Sequence, residues 1–228
     1  MPTMFAKRNV IRCNVAQGDE LTSHLIGIGF RLTGNGASHI NIENTIFSAS
    51  VEGMEGDLRI LSLLVDWIDI HSERINADRL FRLISDTKNE RVRAFWKSIG
   101  TWKGTDLRFR KFSKLYRGPR IDLLKSGTDF HIGRHGEDSR FKGTALRVPD
   151  KAGLRHRPSD ILSLHELSRI HLPYHYRLII GPTYRADMWA QLELISDMSA
   201  AELARSCYGS FATAWNVKRE WGILKAAA

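Results

Sequence analysis

The stretch DLRILSLLVDWIDIHS (57–72) constrains the fold more than any other part of the chain. Leu58, Leu61, Val65 and Ile68 recur at spacings of three and four, with Leu64 and Trp67 beside them. So broad a stripe marks a helix with most of its surface inside a core. Asp66 and Asp69 interrupt the run, so it cannot span a bilayer, and no membrane partner is expected.

Two more helices follow in the same rhythm. NADRLFRLI (76–84) opens with Asn76, a good N-cap, and sets Leu80, Leu83 and Ile84 on one face. ERVRAFWKSI (90–99) supplies Val92, Phe95, Trp96 and Ile99. These segments form an N-terminal helical domain, residues 1–102. Helical character returns after Pro158 and again after Pro182, positions where proline permits a helix to begin. This gives a C-terminal helical domain, residues 158–228. Between them, 103–157 is glycine-rich and exposed, and its runs DFHI and TALRVP read as short strands. The expected fold class is mainly α with a small β hairpin. Trp67, the helix 76–84 and Phe95-Trp96 are also echoed by Trp189, a helix at 199–206 and Ala214-Trp215, as if a three-helix unit occurred twice.

Charge separates these parts. The chain carries a formal net charge of +9, and between Trp102 and Arg157 there are 15 Lys/Arg against 6 Asp/Glu. The remainder has 19 of each, so the whole excess lies in the middle segment. A clustered basic block favours a polyanion, because lysine and arginine displace counterions from phosphates. Nucleic acid, specifically double-stranded DNA, is the expected partner. The isolated Cys13 and Cys207 fit neither a disulfide framework nor a zinc motif, and the N-terminal stretch lacks the apolar core of a secretory signal. A cytoplasmic location is expected.

The segment SAAELARSCYGSFATAWNVKREW (199–221) adds detail. Ser199 and Glu202 make a capping box, Gly209 permits a left-handed helix end, and Ser210 caps the next helix. On a helix from Phe211, a 100° step gathers Ala214, Trp215, Trp221 and Gly222 on one side. Thr213, Asn216 and Arg219 fall opposite. An apolar side that packs and a polar side that projects is what a recognition helix needs, with asparagine suited to adenine and arginine to guanine.

In SAAELA, the small-residue turn YGS and FATAWNVKREW, about 40 residues in all, the chain resembles the helix-turn-helix superfamily of bacterial regulators. More faintly, it resembles the antitoxin regulators of abortive-infection modules. The turn is one residue longer than the common pattern, with Tyr208 where glycine is usual. Lys218 points to the packed side, where only its stem fits. The resemblance implies a DNA-binding regulator or antitoxin-like autorepressor, acting as a homodimer. From Tyr184 to Lys225 the unit is neutral, with five basic and five acidic residues. Phosphate grip is therefore assigned to Arg108, Lys111, Arg117, Arg120, Arg155 and Arg157, and base contact to Thr213, Asn216 and Arg219.

Two other functions fit particular residues. A basic face also suits an acidic partner protein, as in an antitoxin subunit. Asp129, His131, Glu137, Asp138 and Lys142 make the loop 129–142 a candidate for nucleic-acid processing. His131/His135 and His171/His175 are four apart, a chelating spacing on a helix, but HIGRHG reads as a poor helix and Pro173 splits the other pair. No metal, cofactor or catalytic residue is assigned. Arginines beside Tyr116 suit phosphate and base stacking, and Trp67, Trp189 and Trp215 are expected as core anchors.

Overall fold

A computed structural model of the chain describes residues 14–226. Cys13, and the stretch before it where a secretory signal would lie, are outside the described residues. Five helices come first: α1 (Gly18–Gly27), α2 (Ile42–Glu55), α3 (Leu58–His71), α4 (Ala77–Asp86) and α5 (Glu90–Trp102). Side-chain caps start α2 to α5. Asn41, Asp57, Asn76 and Asn89 accept from the amides of Asn44, Ile60, Arg79 and Val92. α2 and α3 form a tight hairpin, because a Cβ on Gly53 would lie 2.8 Å from the Leu61 side chain.

α3 occupies the centre, as its stripe requires. Leu61, Leu64, Val65, Trp67 and Ile68 are all buried. The indole N–H groups of the two buried tryptophans in this core are satisfied: Trp67 donates to the Ile28 carbonyl at 2.8 Å and Trp96 to Ser50 Oγ at 2.9 Å.

The middle segment belongs to this core rather than lying loose upon it. A 3-10 helix, Leu107–Lys114, sends Phe109 and Phe112 inward, and Leu123, Phe141, Leu146 and Val148 follow. Its β content is two residues per strand, β1 (Ile121–Asp122) and β2 (Leu146–Arg147). The pair is parallel, not the expected hairpin, because α6 (Thr128–His135) intervenes and carries the chain across. DFHI is thus helical rather than a strand. Gly127 in a left-handed conformation opens α6, and Arg147 holds Asp129 of its first turn at 2.5 Å.

Five helices complete the chain: α7 (Leu164–Ile170), α8 (Leu172–Ile180), α9 (Tyr184–Leu194), α10 (Ala200–Ser206) and α11 (Phe211–Ala226). The chain is mainly helical with a very small β element. Among the described residues, no helix is long and apolar enough to cross a membrane. The last three helices enclose their own apolar cluster of Met188, Trp189, Leu192, Leu203, Cys207, Ala214 and Val217. Of the tryptophans that the apparent repeat pairs, Trp67 and Trp189 are both buried, but Trp96 is fully buried and Trp215 exposed, so the likeness stops at the second pair.

One buried ion cluster ties this unit to the main core. Arg177 of α8 is enclosed and uses all five N–H groups. It is bidentate to Glu43 of α2 (2.6 and 2.9 Å), bidentate to Asp187 of α9 (2.8 and 2.9 Å), and donates to the Arg74 carbonyl at 3.0 Å. Burial alone pushes the Glu43 carboxyl up. The neighbouring Arg177, then Arg79, outweigh this and hold it below the usual range.

Candidate nucleic-acid interface

α10 and α11, joined by a short turn, are the two helices on which the helix-turn-helix expectation rests. Ser199 and Glu202 form both bonds of the capping box, Oγ accepting from the Glu202 amide at 3.2 Å and the carboxylate from the Ser199 amide at 2.8 Å. Residues 207–210 are the turn. Tyr208, not Gly209, takes the left-handed conformation, at φ 58°. A Cβ on Gly209 would meet the Met188 methyl, the far end of a flexible side chain that would have to shift. Ser210 caps α11, its Oγ accepting from the Thr213 amide at 3.1 Å.

The turn is seated on the N-terminal helices. The Arg79 guanidinium lies 3.3 Å from the Tyr208 ring centroid, and Asn44 donates to the Tyr208 hydroxyl at 3.3 Å. α9 is fixed in turn by Arg177. α11 packs on α9 and α10, so it is presented by a braced support rather than a flexible tail.

The phase of α11 differs from the expectation. Ala214 and Val217 face the cluster, with Lys218 and Trp221 half-buried beside them. The Lys218 stem lies inside as expected, its ammonium donating to the Met198 carbonyl. Trp215, expected inside, is 51 % exposed, and Phe211 is 60 % exposed. The turn of the helix gives the inward positions to Ala214, Val217 and Trp221, whose indole meets Trp189 at 5.5 Å between ring centroids, and leaves Trp215 outside them. Thr213 is half-buried, its hydroxyl 2.8 Å from Ser210 Oγ, so it serves the helix start rather than projecting. Asn216 and Arg219 are exposed on the outer face. The Arg219 guanidinium lies 5.1 Å from the Trp215 ring.

The basic block divides by what its cations touch. Lys103, Arg108, Lys111, Arg120, Arg140 and Arg147 form ion pairs. Three of the residues assigned to phosphate are thereby occupied. Arg108 straddles Asp106 and donates to the carbonyls of Glu73 and Ile75, and Arg120 binds Glu137 and the Thr144 carbonyl. Lys111 pairs with Asp78 at the surface. Arg117, Arg155 and Arg157 have exposed side chains without an ion pair to a described residue, as do Arg110, Lys114, Lys125, Arg134, Lys142 and Lys151. The excess charge is therefore free at the surface, because acids tether six cations and leave nine.

These nine do not form one patch. The 3-10 helix with Arg110 and Lys114 packs on α4, with Lys111 reaching Asp78, the neighbour of the Arg79 that carries Tyr208. Residues 151–157 instead lie along α3. The Arg155 amide donates to Ser62 Oγ at 3.0 Å and the Arg157 amide to Asp66 Oδ2 at 2.5 Å. α2 and α3 have 14 residues each, so the α2–α3 turn lies about 20 Å from the end of the hairpin that meets Tyr208.

Comparison with known proteins yields no matching family model, no matching curated protein and no matching solved structure.

The histidines and acids of the other readings have structural roles. His131 and His135 do share a helix, but among the described residues no three metal-ligating side chains converge. His171 is buried and caps α8, its Nδ1 accepting from the Tyr174 amide at 3.0 Å and its Nε2 facing the Ile40 carbonyl at 2.8 Å. Asp129, Glu137 and Asp138 are bound to Arg147, Arg120 and Arg140, so they gather no open carboxylate site. Tyr116 is buried, its hydroxyl donating to the Pro119 carbonyl, and is not a stacking platform. Sequence reasoning missed the exposed aromatics of α11. The small residues at 214 and 217 are the signal that would have found them.

Proposed function

We propose that this protein is a double-stranded DNA-binding regulator whose α11 enters the major groove. One observation carries the reading: a braced pair of helices and turn whose outer face offers Asn216 and Arg219 beside the exposed Phe211 and Trp215. Asparagine matches the two edge atoms of adenine and arginine those of guanine, while Phe211 and Trp215 suit thymine methyl groups and deoxyribose. Thr213 supports the start of this helix. Phosphate grip belongs to Arg110 and Lys114 on the 3-10 helix that packs on α4, to Arg117 just after that helix, and to Arg205 on α10. Arg108 and Arg120 act within the fold.

Selection from a random duplex pool tests the reading. The wild type should enrich a defined site. N216A/R219A should bind that site and a scrambled duplex alike, a loss of discrimination of about 1–3 kcal/mol per base contact. A variant that still prefers the enriched site would exclude α11 as the reader.

A second reading has its own observation. Ile223 and Leu224, in the last turns of α11, are 63 % and 58 % exposed. This apolar end suits a second copy, and a homodimer would set two α11 helices against two half-sites. Ile223→Glu should turn a dimer into a monomer by light scattering; a wild type that is monomeric at every concentration removes this reading.

A further inference from the structure

At the α2–α3 turn, far from Tyr208, lies a cavity of about 510 Å³, within the range of small-molecule sites. Four cations ring it: Arg59 from the first turn of α3, and Lys151, Arg155 and Arg157 from the segment that follows β2. None of these four side chains pairs with a described carboxylate. Leu58, Leu63 and Ala152 supply apolar wall, and Asp160 adds an acid to the lining.

The cations are held there by construction. Ser62 and the buried Asp66 take the amides of Arg155 and Arg157, which pins the intervening backbone along α3. His156 Nδ1 turns in to Asp66 at 2.7 Å, so the arginines on either side of it project away from the core. Lys151 sits at φ 60°, a left-handed conformation uncommon for a residue with a side chain and one that accumulates at binding sites. Gly153 is needed where it stands, because a Cβ would lie 2.9 Å from the Pro149 carbonyl. Such a backbone brings four cations and a single acid, Asp160, to one hollow, a net positive lining that favours an anion.

We infer that this cavity binds a phosphorylated small molecule of nucleotide size. Two arginines offer bidentate donors to a phosphate, Lys151 and Arg59 add charge, and the apolar wall takes an uncharged ring. Asp160 accepts from a hydroxyl or amino group of the same ligand. A carboxylate metabolite leaves most of the four charges unmatched. The site is independent of the DNA reading, since it lies at the other end of the α2–α3 hairpin.

Calorimetry with the full chain tests this, using AMP, ATP and adenosine as probes. AMP or ATP should bind and raise the thermal midpoint by several degrees. Adenosine should bind at least about tenfold more weakly. R155Q/R157Q should lose about tenfold or more in nucleotide affinity while keeping the wild-type unfolding transition without ligand. R59Q alone should weaken binding in the same direction, which guards against a misfolded double variant. The inference is overturned if neither nucleotide binds, if the glutamine variants bind as the wild type does, or if duplex DNA displaces the nucleotide through the same arginines.

Discussion

At the residue scale the decisive groups are buried and charged or chargeable. Arg177 is enclosed between two acidic partners, so removing the cation strands both carboxylates. Arg177→Met should therefore cost about 3–5 kcal/mol in urea unfolding, far above a surface substitution. The two buried histidines act through pH. His71 Nε2 faces the Leu162 carbonyl at 3.0 Å while Nδ1 accepts from the Tyr174 hydroxyl at 2.7 Å, an arrangement for the neutral ring. Burial pushes His71 down to about 4 against the pull of that carbonyl. Burial does the same to His171, also to about 4, aided by Arg177 and His39. Between pH 6.5 and 4 the unfolded chain takes up protons that the folded chain refuses. The histidine contribution to stability should thus fall as pH drops through that window, by on the order of 3 kcal/mol per histidine, and below it the lowered carboxyls take over the loss. His71→Gln should flatten part of that slope; an unchanged slope would remove His71 from the account.

At the scale of elements, much is legible in the sequence. The caps at Asn76 and Ser199/Glu202, the stripe of α3 and the α9 helix after Pro182 are all local signals, and local chemistry decides them. α6 is not legible, because an eight-residue helix with a glycine inside it has weak propensity and depends on Arg147 from β2 to hold its first turn. The phase of α11 escapes a sequence reading for a related reason. Size and apolarity suggest that Trp215 is inside, but the helix phase set by Ala214, Val217 and Trp221 leaves it outside. Two truncations check the phase. Val217→Ala should cost about 1–2 kcal/mol, and Trp215→Ala less than about 1, the worth of an exposed cation–π contact. The reverse order would restore the inward tryptophan. Ser199→Ala should cost about 1 kcal/mol in unfolding, the worth of one cap.

For the whole molecule, composition announces a basic block but not its distribution. Arg108 and Arg140 are tethered by acids two residues before them, but Lys103 and Lys111 by Asp69 and Asp78, distant in sequence, which no local pattern announces. The resulting surface has one cationic region beside α10 and α11 and another at the far end of α2 and α3. The DNA reading uses the first and not the second, so charge removal should act unequally. K114A/R117A should lower the slope of log affinity against log salt by about one for each phosphate no longer neutralised, and R155Q/R157Q should leave that slope unchanged.

The most direct test of the central claim is oxidative footprinting of the protein with and without its enriched duplex, read by mass spectrometry. Phe211 and Trp215 are exposed, while Trp67 and Trp96 are fully buried and serve as internal controls. Adding the duplex should strongly protect Phe211 and Trp215 and leave the rim of the Arg155–Arg157 cavity as reactive as before. Undiminished oxidation of both α11 aromatics in a saturated complex would contradict the account.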